Sequence, residues 1–245
     1  MNENRIHQNM PLMIAHRGFS GKEAENTCGA FIAAGNRDCY YGIETDIHVT
    51  KDGSFVLIHD DDTQRVADRS LPVENSTALE LSKVHLLDTD GQVGRRDLVI
   101  PMLSDYLTIC RRYNKQCIAE LKNPFTQEQI KAVLAEFDKE NDLEHTIMIS
   151  FSLANLKTLR VMRPELRLQY LVEEELPDDL MQTLDTYDLD LNCDYHLLNK
   201  NLVEQIHISG HLVNCWTVNN VQDAMDLTQI GVDFITTNIL ELEMK

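Results

Sequence analysis

Short apolar, β-branched runs alternate with amphipathic stretches along most of the chain. Leu12–Ala15 reads as a strand, and the apolar spacing over Asn26–Asn36 as a helix. Gly42–Val49 and Ser54–His59 read as two strands joined through Lys51-Asp52-Gly53, because an Asp-Gly pair between alternating runs signals a hairpin. Asp60–Val99 breaks the rhythm. It is polar, carries Gly91 and Gly94, and holds only one short helical stretch, Ala78–Leu87. Lacking a long apolar face, it is expected to be an insertion of about residues 60–100 and not a separate domain.

The alternation then resumes. Helical patterns at Leu103–Tyr113, Gln127–Lys139, Leu153–Met162, Asp178–Thr186, Lys200–Ile208 and Val221–Ile230 separate strand patterns at Gln116–Leu121, Thr146–Phe151, Leu168–Val172, Leu189–Leu197, Leu212–Val218 and Asp233–Thr237. Gly210 and Gly231 stand where helices would close. Leu189–Leu197 is the weakest strand; its Asp190, Asn192 and Asp194 read equally as residues lining a substrate region or as solvated ones. Eight main strands with crossover helices in 245 residues predict an α/β chain of one domain spanning residues 1–245. The expected fold is a TIM (β/α)8 barrel with a small insertion after the second strand. The eighth helix is expected to be short or absent. A doubly wound open sheet is the rival, but it usually has fewer strands.

Composition narrows the partners. Hydrophobic residues make up 43% of the chain, enough for a sizeable core, and the net charge is −18. That charge argues against nucleic acid and against an anionic membrane surface. Of the six cysteines, Cys110, Cys117, Cys193 and Cys215 lie in or beside apolar segments, and none has zinc-ligand spacing. They read as small buried hydrophobes in a reducing compartment. Met1–Met10 lacks an apolar leader core, and no apolar run approaches the ~18 residues of a membrane span. A cytoplasmic location without stable membrane insertion is expected. Oligomeric state is not legible.

Ionisable residues gather where the predicted strands end. His16-Arg17-Gly18 follows the first strand, Glu44 and Asp46 lie in the second, His59 ends the hairpin strand, and Glu120 and Lys122 end the third. In a parallel barrel these ends share one mouth. Glu44 and Asp46 are two apart and so face one side of the strand. Carboxylates on the inner face of an apolar strand are costly unless paired or metal-bound, and three oxygen donors suit Mg²⁺ or Ca²⁺. The bland alternative, outward and solvated carboxylates, is equally compatible with alternation alone. Arg17 can fork two phosphate oxygens, and His16 and His59 can move protons near neutral pH. The other histidines, His48 included, lack such neighbours and read as structural. Serine-hydrolase, P-loop and dinucleotide fingerprints are missing.

Read in order, these residues resemble the glycerophosphodiester phosphodiesterase family. The matching pieces are His16-Arg17-Gly18, Glu25-Asn26-Thr27, Glu44-Thr45-Asp46, Thr50-Lys51-Asp52-Gly53, His59-Asp60, Pro101-Met102-Leu103, Glu120-Leu121-Lys122, Ser150-Phe151 and Trp216-Thr217-Val218-Asn219. The resemblance covers nearly the whole chain. It implies hydrolysis of a small-molecule glycerophosphodiester to sn-glycerol 3-phosphate and an alcohol. It also implies one divalent cation, Mg²⁺ or Ca²⁺, on Glu44, Asp46 and Glu120. His16 and His59 would form the acid–base pair, and Arg17 and Lys122 would neutralise phosphate. Glu25 and Asn26 would brace the first loop, and Trp216 would pack on the glycerol or a ligand edge. Two departures stand out: Ala24 in place of the family's Pro, and Asn238 after Thr236-Thr237 in place of Asp. Rival readings are a lysophospholipase D or a phosphatidylinositol phospholipase C-like enzyme with the same site, a non-catalytic binding barrel, and a metal-free sugar-phosphate isomerase.

Overall fold

A computed structural model describes residues 10–140 and 143–242. The expected leader-free segment at residues 1–9 lies outside the described residues. Eight parallel strands close into a ring: β1 (Leu12–Ala15), β2 (Tyr40–Val49), β4 (Gln116–Leu121), β5 (Thr146–Ser150), β6 (Arg167–Val172), β7 (Asp190–Asp194), β8 (Val213–Trp216) and β9 (Phe234–Thr237). β1 pairs with both β2 and β9, which removes both sheet edges. β3 (Phe55–Leu57) returns antiparallel on the far end of β2. The turn between them places Gly53 at φ +80°, with open space where a side chain would be.

Side-chain alternation divides each strand between two cores. Ile14, Ile118, Ile147, Ile149, Leu171 and Phe234 point inward and fill the barrel. Ile43, Ile47, Leu191, Cys193 and Cys215 point outward and pack under the helices. Those helices are α1 (Cys28–Gly35), α3 (Leu103–Arg112), α4 (Gln127–Glu140), α5 (Leu153–Met162), α6 (Leu180–Tyr187), α7 (Lys200–Ser209) and α8 (Val221–Ile230). Gly210 and Gly231 close α7 and α8 in the left-handed conformation, as the sequence predicts. Among the described residues no helix follows β9. Cys110, Cys117, Cys193 and Cys215 are buried, and none of the six cysteines is in a disulfide.

The segment between β3 and α3 covers β3 with a separate apolar cluster that includes Val56, Ile58, Val73, Leu81, Val84, Leu86 and Leu98. Its helix, α2 (Ala78–Leu81), is shorter than the expected Ala78–Leu87. A Thr77–Glu80 capping box starts it. One turn suffices to bury Leu81. The chain then turns Val84 and Leu86 into the cluster through the bonds Leu86 N–H to Leu98 O and Leu87 N–H to Val66 O. The strand expected over Leu189–Leu197 also stops early, at Asp194, whose carboxylate accepts from His196 N–H and caps a short 3-10 turn over Tyr195–Leu197.

Candidate active site

Register brings the three carboxylates together. Asp46 on β2 stands beside Glu120 on β4, and Glu44 lies on the same inner face one pleat earlier. One oxygen from each of Glu44, Asp46 and Glu120 lies within 4.8 Å of the others. All three are buried, which overturns the solvated alternative. Burial and the neighbouring Asp46 push the Glu44 carboxyl well above its usual range. The same two causes push Glu120 up to about 8. Burial also disfavours the Asp46 charge, yet Arg17 and Lys122 hold its carboxyl well below the usual range. Lys122 Nζ lies 2.9 Å from Glu120 Oε1 and 3.4 Å from Asp46 Oδ1. One lysine and one arginine leave three buried acids under-compensated. The donor set therefore fits a hard divalent cation, which would relieve that repulsion with oxygen ligands.

The first loop is locked onto these acids. Arg17 and Asn26 both adopt positive φ, 54° and 53°, a conformation that costs a side-chain-bearing residue about 1–3 kcal/mol. Hydrogen bonds over-determine it. Arg17 N–H donates to Glu44 Oε2 (2.8 Å), Asn26 N–H to Arg17 O (3.0 Å), and Asn26 Nδ2 to Asp46 Oδ2 (2.7 Å). Thr45 Oγ1 donates to Asn26 Oδ1 at 2.7 Å. Next in the turn, Gly18 has φ +78°, and a Cβ there would sit 2.6 Å from the Ala30 backbone, so the loop can pack on α1 only with glycine at this place.

The two histidines reach the same mouth on different supports. His16 Nδ1 stands 2.7 Å from Asn238 Oδ1, and its Nε2 lies 4.0 Å from Glu44. An amide oxygen only accepts, so the Nδ1–H tautomer is held and Nε2 keeps a lone pair. Burial and Arg17 lower the His16 pKa to about 4, which keeps the ring neutral. His59 Nδ1 instead donates to the Asp60 carboxylate at 2.6 Å. Burial lowers its pKa too, although the nearby Asp46 opposes the shift. Arg65 grips Asp60 (2.6 Å) and also Glu25 (2.7 Å), and Glu25 accepts from Arg17 at 2.9 Å. This chain of charges ties both loops together.

Sequence reasoning missed two of these contributors, Arg65 and Asn238. Arg65 sits in the polar insertion with no motif around it. Asn238 is visible only as a departure, yet it contacts His16. His48, read as structural, is fully buried with Nε2 3.3 Å from the His59 carbonyl, which agrees with that reading while giving it an address. Trp216 reaches the mouth from β8, its ring edge-on to Phe151 at 6.0 Å. Its indole Nε1 is buried with no partner among the described residues. His16, Arg17, Glu44, His59, Glu120, Lys122 and Trp216 all line one cavity of about 320 Å³. Asp46 lies beneath it, and Glu25 and Asn26 lie behind the first loop.

Comparison with known proteins places the chain in a family. A glycerophosphodiester phosphodiesterase of Caldanaerobacter subterraneus is 29% identical, over 93% of both chains. Another, of Bacillus altitudinis, is 27% identical over 96% of this chain and 98% of its own. A solved glycerophosphodiester phosphodiesterase of Parabacteroides distasonis superposes with a TM-score of 0.78 at 26% identity, covering 93% of this chain and 92% of that one. An Oleispira antarctica phosphodiesterase, solved with its product sn-glycerol-3-phosphate, shares the fold with a TM-score of 0.83 at 24% identity, over 94% and 93%. The profile of the Glycerophosphoryl diester phosphodiesterase family matches residues 16–242, and the chain belongs to that family of phosphoric diester hydrolases.

Proposed function

We propose that this chain hydrolyses glycerophosphodiesters to sn-glycerol 3-phosphate and a free alcohol, with Mg²⁺ or Ca²⁺ held by Glu44, Asp46 and Glu120. The observation that carries the reading is the buried acid triad, flanked by Arg17, Lys122 and two histidines around one cavity. Such substrates are what remains of a glycerophospholipid once its acyl chains are removed, which supports a role in lipid turnover. The Oleispira antarctica protein's product supports the same chemistry.

When bound, the cation supplies positive charge against the phosphoryl oxygens and orients the diester. Arg17 and Lys122 add fixed positive charge on the same side, where charge builds as the phosphorus–oxygen bond breaks. His16, neutral and with Nε2 unprotonated, takes the proton from the attacking hydroxyl. His59, its Nδ1–H held by the Asp60 carboxylate against the burial that lowers its pKa, gives a proton to the departing alcohol. The attacker is either the glycerol 2-hydroxyl, through a cyclic phosphate that water opens, or water itself. Trp216 borders the glycerol. Glu25 and Asn26 keep Arg17 aimed at the phosphate. No described helix is long and apolar enough to cross a membrane, and six cysteines without a disulfide suit a reducing cytoplasm.

The test is release of sn-glycerol 3-phosphate from glycerophosphocholine and glycerophosphoethanolamine, in Mg²⁺, in Ca²⁺ and in EDTA. Cation-dependent release is expected. A folded protein that releases none, but cleaves lysophosphatidylcholine, would replace this reading with the lipid-substrate one.

A further inference from the structure

The barrel interior carries a second polar group, across the ring from the acids. Gln169 on β6, Asn192 on β7, Asn214 on β8 and Thr236 on β9 are all buried. Asn192 Nδ2 and Asn214 Nδ2 both donate to Gln169 Oε1, at 2.9 and 3.0 Å. Thr236 Oγ1 donates to Asn214 Oδ1 at 3.1 Å. The network fixes each amide but does not satisfy them all. Asn192 is 1% exposed, and its Oδ1 has no partner among the described residues. A buried carbonyl without a donor costs free energy, so its persistence asks for an explanation.

Asn192 lines the catalytic cavity, and so do Thr236 and Trp216. On the neighbouring strand, Trp216 Nε1 is an unpartnered donor. Gln169 Nε2 is a further unpartnered donor of this group, but Gln169 does not line the cavity; of the residues that do, Asn192 supplies one neutral acceptor and Trp216 one neutral donor. A hydroxyl both donates and accepts, so the pair matches a polyol and repels neither end of it. A phosphate would find no positive charge here. The positive charge lies across the barrel on the β1, β2 and β4 side, at Arg17 and Lys122.

We infer that Asn192 is a specificity-determining residue: its side-chain oxygen accepts a hydrogen bond from a hydroxyl of the substrate's glycerol arm, which lies against β7 and β8. The inference rests on the glycerophosphodiester reading and adds a direction to it. The phosphorus sits over the acids, the glycerol reaches across the barrel, and the leaving alcohol faces the open mouth. Gln169 is a positioning residue, because it turns the Asn192 amide so that oxygen and not nitrogen is left for the ligand.

Calorimetry on the cation-loaded protein tests this with sn-glycerol 3-phosphate, 1-propyl phosphate and inorganic phosphate. Propyl phosphate keeps the carbon chain and loses the hydroxyls. The unmodified protein is expected to prefer glycerol 3-phosphate over propyl phosphate. Asn192→Val should weaken glycerol 3-phosphate by about 10- to 100-fold. It should leave propyl phosphate and inorganic phosphate unchanged, so that the preference disappears. If Asn192→Val does not fold, Asn192→Ala, which also removes the acceptor, carries the same comparison. A preserved preference overturns the inference, and so does an equal loss of all three ligands, which would mean a structural role only. Failure of the unmodified protein to bind glycerol 3-phosphate would instead break the glycerophosphodiester reading itself.

Discussion

One barrel interior holds two walls of opposite character. The β1, β2 and β4 side carries Glu44, Asp46, Glu120, Arg17 and Lys122 in direct contact, every group charged or forced to share its charge. The β6 to β9 side carries Gln169, Asn192, Asn214 and Thr236, all neutral. The first wall is electrostatically unstable alone, because three buried acids face too few cations. The second is stable alone apart from its unpartnered amide atoms. In the proposed reaction the charged wall would act on the phosphorus centre, and the neutral wall would select what is attached to it.

The largest effect that would break this division is loss of a proton carrier. His16→Ala and His59→Ala should each lower kcat by about 10²- to 10⁴-fold, equally on glycerophosphocholine and glycerophosphoethanolamine. A variant near the unmodified rate would remove that histidine from the chemistry. Next come Arg17→Met and Lys122→Met, each expected to lower kcat/KM by about 10²- to 10³-fold as charge stabilisation is lost. Substrate choice should not change, because in the proposed reaction these groups act on phosphate alone. A change in the substrate ratio would blur the two walls.

The charged wall was the legible half of the site. Glu44 and Asp46 two apart on an apolar strand, and Glu120 in another, stand out as candidates, although alternation alone left the solvated reading open until burial decided it. Their partners His16, Arg17, His59 and Lys122 end predicted strands, and the fold brings strand ends together. The amide wall was illegible. Asn192 inside Asp190–Asp194 reads the same whether buried or solvated, and only barrel closure puts it at 1% exposure. Arg65 was hidden for another reason. Its two carboxylate partners, Glu25 and Asp60, lie 40 and 5 residues away, and the long pairing depends on how the insertion folds back. The barrel itself was readable from alternation. The lengths of α2 and β7 were not: α2 ends where Leu86 and Leu87 bond to Leu98 and Val66 instead of continuing the helix, and β7 where the Asp194 carboxylate caps the following turn.

A smaller effect sharpens the comparison on the charged side. Arg65→Gln should lower kcat by about 10-fold, through a loosened Asp60–His59 pair, with KM nearly unchanged. An unaltered rate would show that Asp60 holds His59 without help. The smallest expected effect is on stability. Glu120, pushed up to about 8, stays protonated in the folded chain at a pH where the unfolded chain has ionised. The cation-free protein should therefore lose stability as pH rises from the ordinary carboxylate range toward 8, and a divalent cation should cancel that slope. Melting temperatures in EDTA and in Mg²⁺, across that range, check the sign. Parallel curves would mean that the acids are compensated from within.

The central claim is that Glu44, Asp46 and Glu120 form a cation site and that the rest of the charged wall is built around it. Isothermal titration of the metal-stripped protein with Mg²⁺ and with Ca²⁺ tests it most directly, alongside a folded Asp46→Asn variant. The account predicts one cation per chain in the unmodified protein and its loss in the variant. Absence of binding in the unmodified protein, or binding undiminished by Asp46→Asn, would contradict it.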